Sequence, residues 1–128
     1  MLIENQEFTT ITPPPNAGGR IVFRDCNWSD VHDSAFPATD SIFENFEFTD
    51  TRFYYEAIIG AIFIDCNFCH CKFSGVAFLD STFLRCAFTD GEFDEDSFGG
   101  KCSMTDTKMY DCVVKNCVGW VDAWMLIR

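Results

Sequence analysis

Three thiols and an imidazole stand within six residues in the stretch Cys66-Asn67-Phe68-Cys69-His70-Cys71. It contains C-x-x-C-H, the spacing used for covalent haem attachment, and close-set thiols with imidazole are also zinc ligand types. Either chemistry requires these side chains to converge on one point. Elsewhere, reactive arrangements are scarce. His32 and His70 are the only histidines, and neither stands in an evident arrangement with a Ser or Cys nucleophile and an acid. Acids are plentiful, but no D-x-D-x-D-G calcium loop occurs. The residues therefore argue against an enzyme.

The elements that position these groups follow from a repeat. Phe stands at 43, 48, 53, 63, 68, 73, 78, 83, 88, 93 and 98, and Ile58 fills the gap, so the period is five. This fits neither a helix at 3.6 nor a flat strand at 2. Two places before each lies a second, mostly small column: Ser41, Phe46, Thr51, Glu56, Ala61, Cys66, Cys71, Val76, Ser81, Cys86, Gly91 and Asp96. Residues two apart on an extended segment point the same way, so both columns are expected to face inward, with the more polar remainder outside. The segments "FRDCNW" (23–28) and "FIDCNF" (63–68) repeat forty residues apart. After "FGGKCSM" the phase slips by one residue, and the columns resume as Met104, Met109 and Val114 behind Cys102, Thr107 and Cys112.

This pattern resembles the pentapeptide-repeat family, and the resemblance covers about residues 21–119. The fold it implies is all-β, a right-handed quadrilateral β-helix with four pentads per coil and about five coils. Residues 1–20 are read as an N-terminal cap strand ("MLIENQEFTTIT") and a Pro-rich loop ("PPPNAGG"). Residues 31–40 interrupt the solenoid, with Asp33 in a core slot, and 120–128 form a C-terminal cap through Trp120, Trp124, Met125 and Ile127. Terminal coils need such covers because they otherwise expose apolar stacking surface and strand edges. A dimer through the same tail is the alternative. Within this frame Cys66 and Cys71 occupy the small inward column while Cys69 and His70 fall outside, so no cofactor and no metal are expected. Glu56 and Asp96 suit the small inward slot poorly and are expected to turn outward or to be paired, and Phe46 is too large for it, so a distorted first full coil is expected.

Composition sets the partner class. Twenty acidic residues against nine Lys and Arg leave a net charge of −11, which repels nucleic acid and anionic membranes and attracts basic surfaces. No signal peptide and no membrane-length apolar run is visible, so a cytoplasmic protein with eight free thiols is expected. Two places after the central residue acids recur, at Asp25, Asp30, Asp50, Asp65, Asp80, Asp90, Glu95, Asp106 and Asp111. Residues twenty apart share a face, so Asp30, Asp50, His70, Asp90 and Asp111 are read as one file, and Asp25, Asp65 and Asp106 as its neighbour. Glu44 with Glu47, and Glu92 with Asp94 and Glu95, add to them. At a coil spacing of about 4.8 Å, five coils span about 24 Å, over which duplex DNA carries roughly 14 phosphates.

The expected function is accordingly a non-catalytic DNA mimic occupying a basic DNA-binding site on a partner protein. The resemblance implies targets of two kinds. Several pentapeptide-repeat proteins act on DNA gyrase, but as longer, often dimeric rods. A short acidic rod suits a narrower site, as in the phage anti-CRISPR inhibitors. Type I-C Cascade is thus the first expected partner and DNA gyrase the second, with the protein acting as a monomer. A structural protein-interaction module is the remaining alternative.

Overall fold

A three-residue strand followed by a one-residue corner at positive φ is the unit from which the molecule is built. We describe it from a computed structural model, for residues 1–9, 20–30, 38–121 and 124. Eighteen parallel strands lie on four faces. The first face carries β1 (Leu2–Glu4), β3 (Val22–Arg24), β5 (Ile42–Glu44), β9 (Ile62–Ile64), β13 (Thr82–Leu84) and β17 (Lys108–Tyr110). The second carries β2 (Glu7–Phe8), β4 (Asn27–Ser29), β6 (Glu47–Thr49), β10 (Asn67–Cys69), β14 (Ala87–Thr89) and β18 (Val113–Lys115). The third has β7 (Arg52–Tyr54), β11 (Lys72–Ser74) and β15 (Glu92–Asp94), and the fourth β8 (Ala57–Ile59), β12 (Ala77–Leu79) and β16 (Ser103–Thr105). This is a four-sided parallel β-solenoid of a little over four turns, against the five expected. Its two longest faces each stack six strands, so they still extend about 24 Å at the usual strand spacing.

Phe recurs every fifth residue because each strand points its central side chain into a common core. The rings pile up directly: Phe23, Phe43, Phe63 and Phe83 on the first face have successive centroids 4.9, 5.0 and 4.7 Å apart. Phe48, Phe68 and Phe88 repeat at 4.6 Å on the second face, and Phe53, Phe73 and Phe93 at 4.8 and 4.7 Å on the third. Ile58 and Phe78 continue the pattern on the fourth and are buried. Stacked aromatic pairs add about 0.5–1.5 kcal/mol each beyond the burial of their area.

The expected distortion at Phe46 is absent. Its ring is buried, stacking on Phe48 at 4.4 Å and lying edge-on to Phe43 at 5.3 Å, while β6 keeps its register with both neighbours. The N-terminal segment also differs from a single cap strand. β1 and β2 pair in register with β3 and β4, so Ile3 and Phe8 extend the inward columns. The Pro-rich loop and Asp33 lie outside the described residues. So do Met125 and Ile127, but Trp120 lies over Phe88 and Phe93 at 5.4 and 5.2 Å and Trp124 meets Phe93 at 5.7 Å.

Phe98 breaks the rule. The repeat places it in the core column, yet it is 79% exposed. The chain leaves the solenoid after β15 and returns at β16, where Phe78 pairs with Met104, twenty-six residues on instead of twenty. One pentad plus one residue has looped out. Counted in fives, this looks the same as the one-residue slip read from the sequence, but it delivers the returning chain to the next face. Asp96 serves the loop: its Oδ1 accepts the backbone N–H groups of Phe98 and Gly100 at 2.8 and 2.9 Å. No helix among the described residues is long and apolar enough to cross a membrane.

Candidate acidic recognition surface

The thiols of the opening motif divide as the repeat requires. Cys66 Sγ lies 3.2 Å from the Phe43 carbonyl and 3.4 Å from that of Ile64; Cys71 Sγ lies 3.4 Å from Phe48 O and 3.6 Å from Cys69 O. The Ser81 hydroxyl uses the equivalent pair, Ile58 O at 3.3 Å and Leu79 O at 3.1 Å, and Thr51 does likewise. The inward slot thus takes small side chains, of which Cys, Ser and Thr donate to a carbonyl of the preceding coil while Ala61 and Val76 only fill it. Burial pushes the Cys71 thiol up to about 12. Cys69 and His70 project outward, and all eight cysteines are free.

The acids owe their positions to the corners. Among the described residues sixteen non-glycine residues have positive φ; nine are Asp and three are Asn, with φ between 49° and 57°. This left-handed region is hostile to most L-residues, and Asn and Asp enter it most readily because their short polar side chains bond locally. Corner N–H groups before the last coil donate to the next coil, as Asp50 does to Cys69 O at 3.1 Å and Asp65 to Leu84 O at 2.9 Å. A charged ladder is therefore built into the edges of the solenoid.

Which acids share an edge departs from the sequence reading. Between the first and second faces run Asn5, Asp25, Asn45, Asp65, Arg85 and Asp111; between the second and third run Asp30, Asp50, His70, Asp90 and Asn116. Asp111 therefore lies over Arg85, not Asp90, and Asp106 follows Asp80 on a third edge. The looped-out pentad is the cause. The two files flank the second face, whose outward residues include Asn27, Ser29, Thr49, Asn67 and Thr89, with Glu7 and Glu47. A three-residue strand spans about 10 Å, so two rows of carboxylates run alongside a polar floor at that order of separation.

The charge is not uniform. Arg85 holds Asp65 through two bonds of 2.7 and 3.2 Å, which keeps the Asp65 carboxyl below its ordinary range. Arg24 takes Glu44 at 3.0 Å, Lys72 lies 3.8 and 3.4 Å from Glu92 and Asp94, and His70 Nε2 lies 3.9 Å from Asp90. Glu95 leaves the third face at the start of the loop. Not all outward positions are polar, as the sequence suggested. Val22, Ile42, Ile62, Ile64 and Leu84 line the first face, and Ala57, Ile59, Ala77 and Leu79 the fourth. The second face is mostly polar, with Cys69, Ala87, Val113 and Lys115 also pointing outward, and its edges carry Asp25, Asp65 and Asp111 on one side and Asp30, Asp50 and Asp90 on the other.

The fold is a four-sided parallel β-solenoid, the fold of known pentapeptide-repeat proteins. It is similar to QnrB1, a plasmid-mediated fluoroquinolone resistance protein, with a TM-score of 0.63 at 14% identity over 91% of this chain and 69% of that one. It is also similar to Rfr23, a pentapeptide repeat protein of the cyanobacterium Cyanothece 51142, with a TM-score of 0.57 at 12% identity over 91% and 83%. No family model and no curated protein matches the sequence.

Proposed function

We propose that this protein is a non-catalytic inhibitor that presents its second face and flanking acidic files to a basic DNA-binding site, displacing the DNA. The observation that carries the reading is the pair of carboxylate files on either side of a polar face. Their separation, about 10 Å, falls between the widths of the minor and major grooves of B-DNA, about 6 and 12 Å. Asp30, Asp50 and Asp90 form one file; Asp65 and Asp111 belong to the other, and Glu47 stands between them. Glu44, Glu92, Asp94, Glu95 and Asp106 lie on adjoining surfaces and shape the field around it. The protein would act as a monomer in the bacterial cytoplasm.

Type I-C Cascade is the first proposed target, because a face of about 24 Å suits a site gripping a few base pairs. The likeness to a fluoroquinolone resistance protein favours a second reading, binding to DNA gyrase. One pair of assays separates them: a gel shift of Cascade on its target duplex, and gyrase supercoiling, each with added protein. The informative variant is Asp50→Asn/Asp90→Asn/Asp111→Asn, because Asn keeps the corner conformation and removes only charge. Inhibition by the native protein should fall at least tenfold in this variant. Undiminished inhibition by the variant overturns the mimic reading, and no effect of the native protein in either assay removes both targets.

A further inference from the structure

Among the described residues, two aromatic rings stand well out in solvent. Phe98 and Tyr55 are 79% and 61% exposed, with centroids 5.3 Å apart. Each stands where the repeat calls for something else. Phe98 is in phase with the core column but is carried out on the loop, and Tyr55 holds a corner at φ 49°, where twelve of sixteen non-glycine residues are Asp or Asn. A bulky residue held in that region marks a constraint other than stability.

The loop that carries Phe98 is fastened down. The Ser97 backbone N–H donates to the Tyr54 hydroxyl at 2.9 Å, and Asp96 folds the turn through Phe98 and Gly100. Asp96 in turn lies where a Cβ on Gly75 would be. The rings are therefore presented in a fixed arrangement, and a partner does not have to order them on binding.

We propose that Tyr55 and Phe98, on the edge between the third and fourth faces, form an arginine anchor, taking a guanidinium from a basic partner that reaches round the third face from the acidic files. This rests on the reading of the protein as an acidic mimic and extends it to a second kind of contact. The chemistry is that of a cation over an aromatic face, which favours Arg because its planar, weakly hydrated group also stacks. The molecule makes the same contact internally, with Arg52 Cζ 4.9 Å from the Tyr54 ring centroid. Glu95 follows directly from the third face into the loop, Glu92 and Asp94 stand on that face with Arg52 and Lys72, and the net charge of −11 draws a basic partner toward the molecule.

Titration with hexa-arginine and hexa-lysine, followed by NMR of the aromatic rings and corner amides, tests the anchor. Hexa-arginine should shift the Tyr55 and Phe98 ring signals and bind about three- to tenfold more tightly than hexa-lysine. Tyr55→Asn/Phe98→Ser should abolish that preference and leave affinity for hexa-lysine unchanged, with circular dichroism confirming the fold. Equal affinities, or unmoved ring signals, overturn the anchor. Asp50→Asn/Asp90→Asn/Asp111→Asn should weaken both peptides alike and keep the preference. If hexa-arginine moves the rings while no corner amide responds, the anchor stands and the mimic reading falls.

Discussion

Asp50 shows how one residue serves two purposes. At φ 49° it occupies a conformation that costs most L-residues about 1–2 kcal/mol, and its carboxylate then projects from the edge of the rod. Backbone and charge requirements can be separated. Asp50→Asn should leave stability within about 0.5 kcal/mol of the native protein, whereas Asp50→Ala should lose about 1 kcal/mol in chemical denaturation. Equal losses would mean that the charge stabilises the corner. Cys71 makes the complementary point inside. Its thiol is raised from 9.0 to about 12, so between those values the unfolded chain releases a proton that the folded one keeps. Stability should therefore be intact below about pH 9 and fall as pH rises toward 12, and Cys71→Ser should flatten that decline. An unchanged decline would place its origin in other groups.

At the scale of the element, a strand of three residues has little stability alone and gains it by stacking. Phe68 sits in the middle of the pile on the second face, between Phe48 and Phe88 at 4.6 Å each. Truncation there leaves a cavity that rigid ladders above and below cannot close. Phe68→Ala should cost about 3–5 kcal/mol, read from the denaturation midpoint; a loss under 1 kcal/mol would mean that the coil collapses around the gap. The loop at 95–102 depends on a different residue. A Cβ at Gly75 would strike Asp96 and would strain a corner at φ 62°, so Gly75→Ala should release the loop. Hydrogen exchange should then accelerate at Phe98 and Gly100, whose amides Asp96 holds, while core amides such as Asn67 stay protected.

The whole molecule is amphipathic by face. Its first and fourth faces carry Ile, Val, Leu and Ala outward, the first beside the charged Glu4, Arg24, Glu44 and Lys108, and its second face is mostly polar between two Asp-bearing edges. A complex formed through the acidic side should weaken steeply with salt, since exposed charge pairs are screened over about 8 Å at physiological ionic strength. An association insensitive to salt between 50 and 500 mM would direct attention to the apolar faces instead.

The pentad and its inward columns could be read in the residues themselves, because a position that stacks on its own copy every turn tolerates few side chains. Phe at 43, 63 and 83, and Ser41, Ala61 and Ser81 two places earlier, report that restriction directly. The same logic assigned Cys66 and Cys71 to the core and turned Cys69 and His70 outward. The exposed corners were legible only as a column of acids, since their backbone cause, positive φ, leaves the same Asp and Asn signature as a functional charge. The grouping of those acids was beyond the sequence. A period of five has no memory of which of four sides the chain is on, so a slip of one and a slip of six are the same pattern. Only the closed three-dimensional coil, in which Phe78 meets Met104, decides that Asp111 faces Arg85 and that Phe98 stands in solvent.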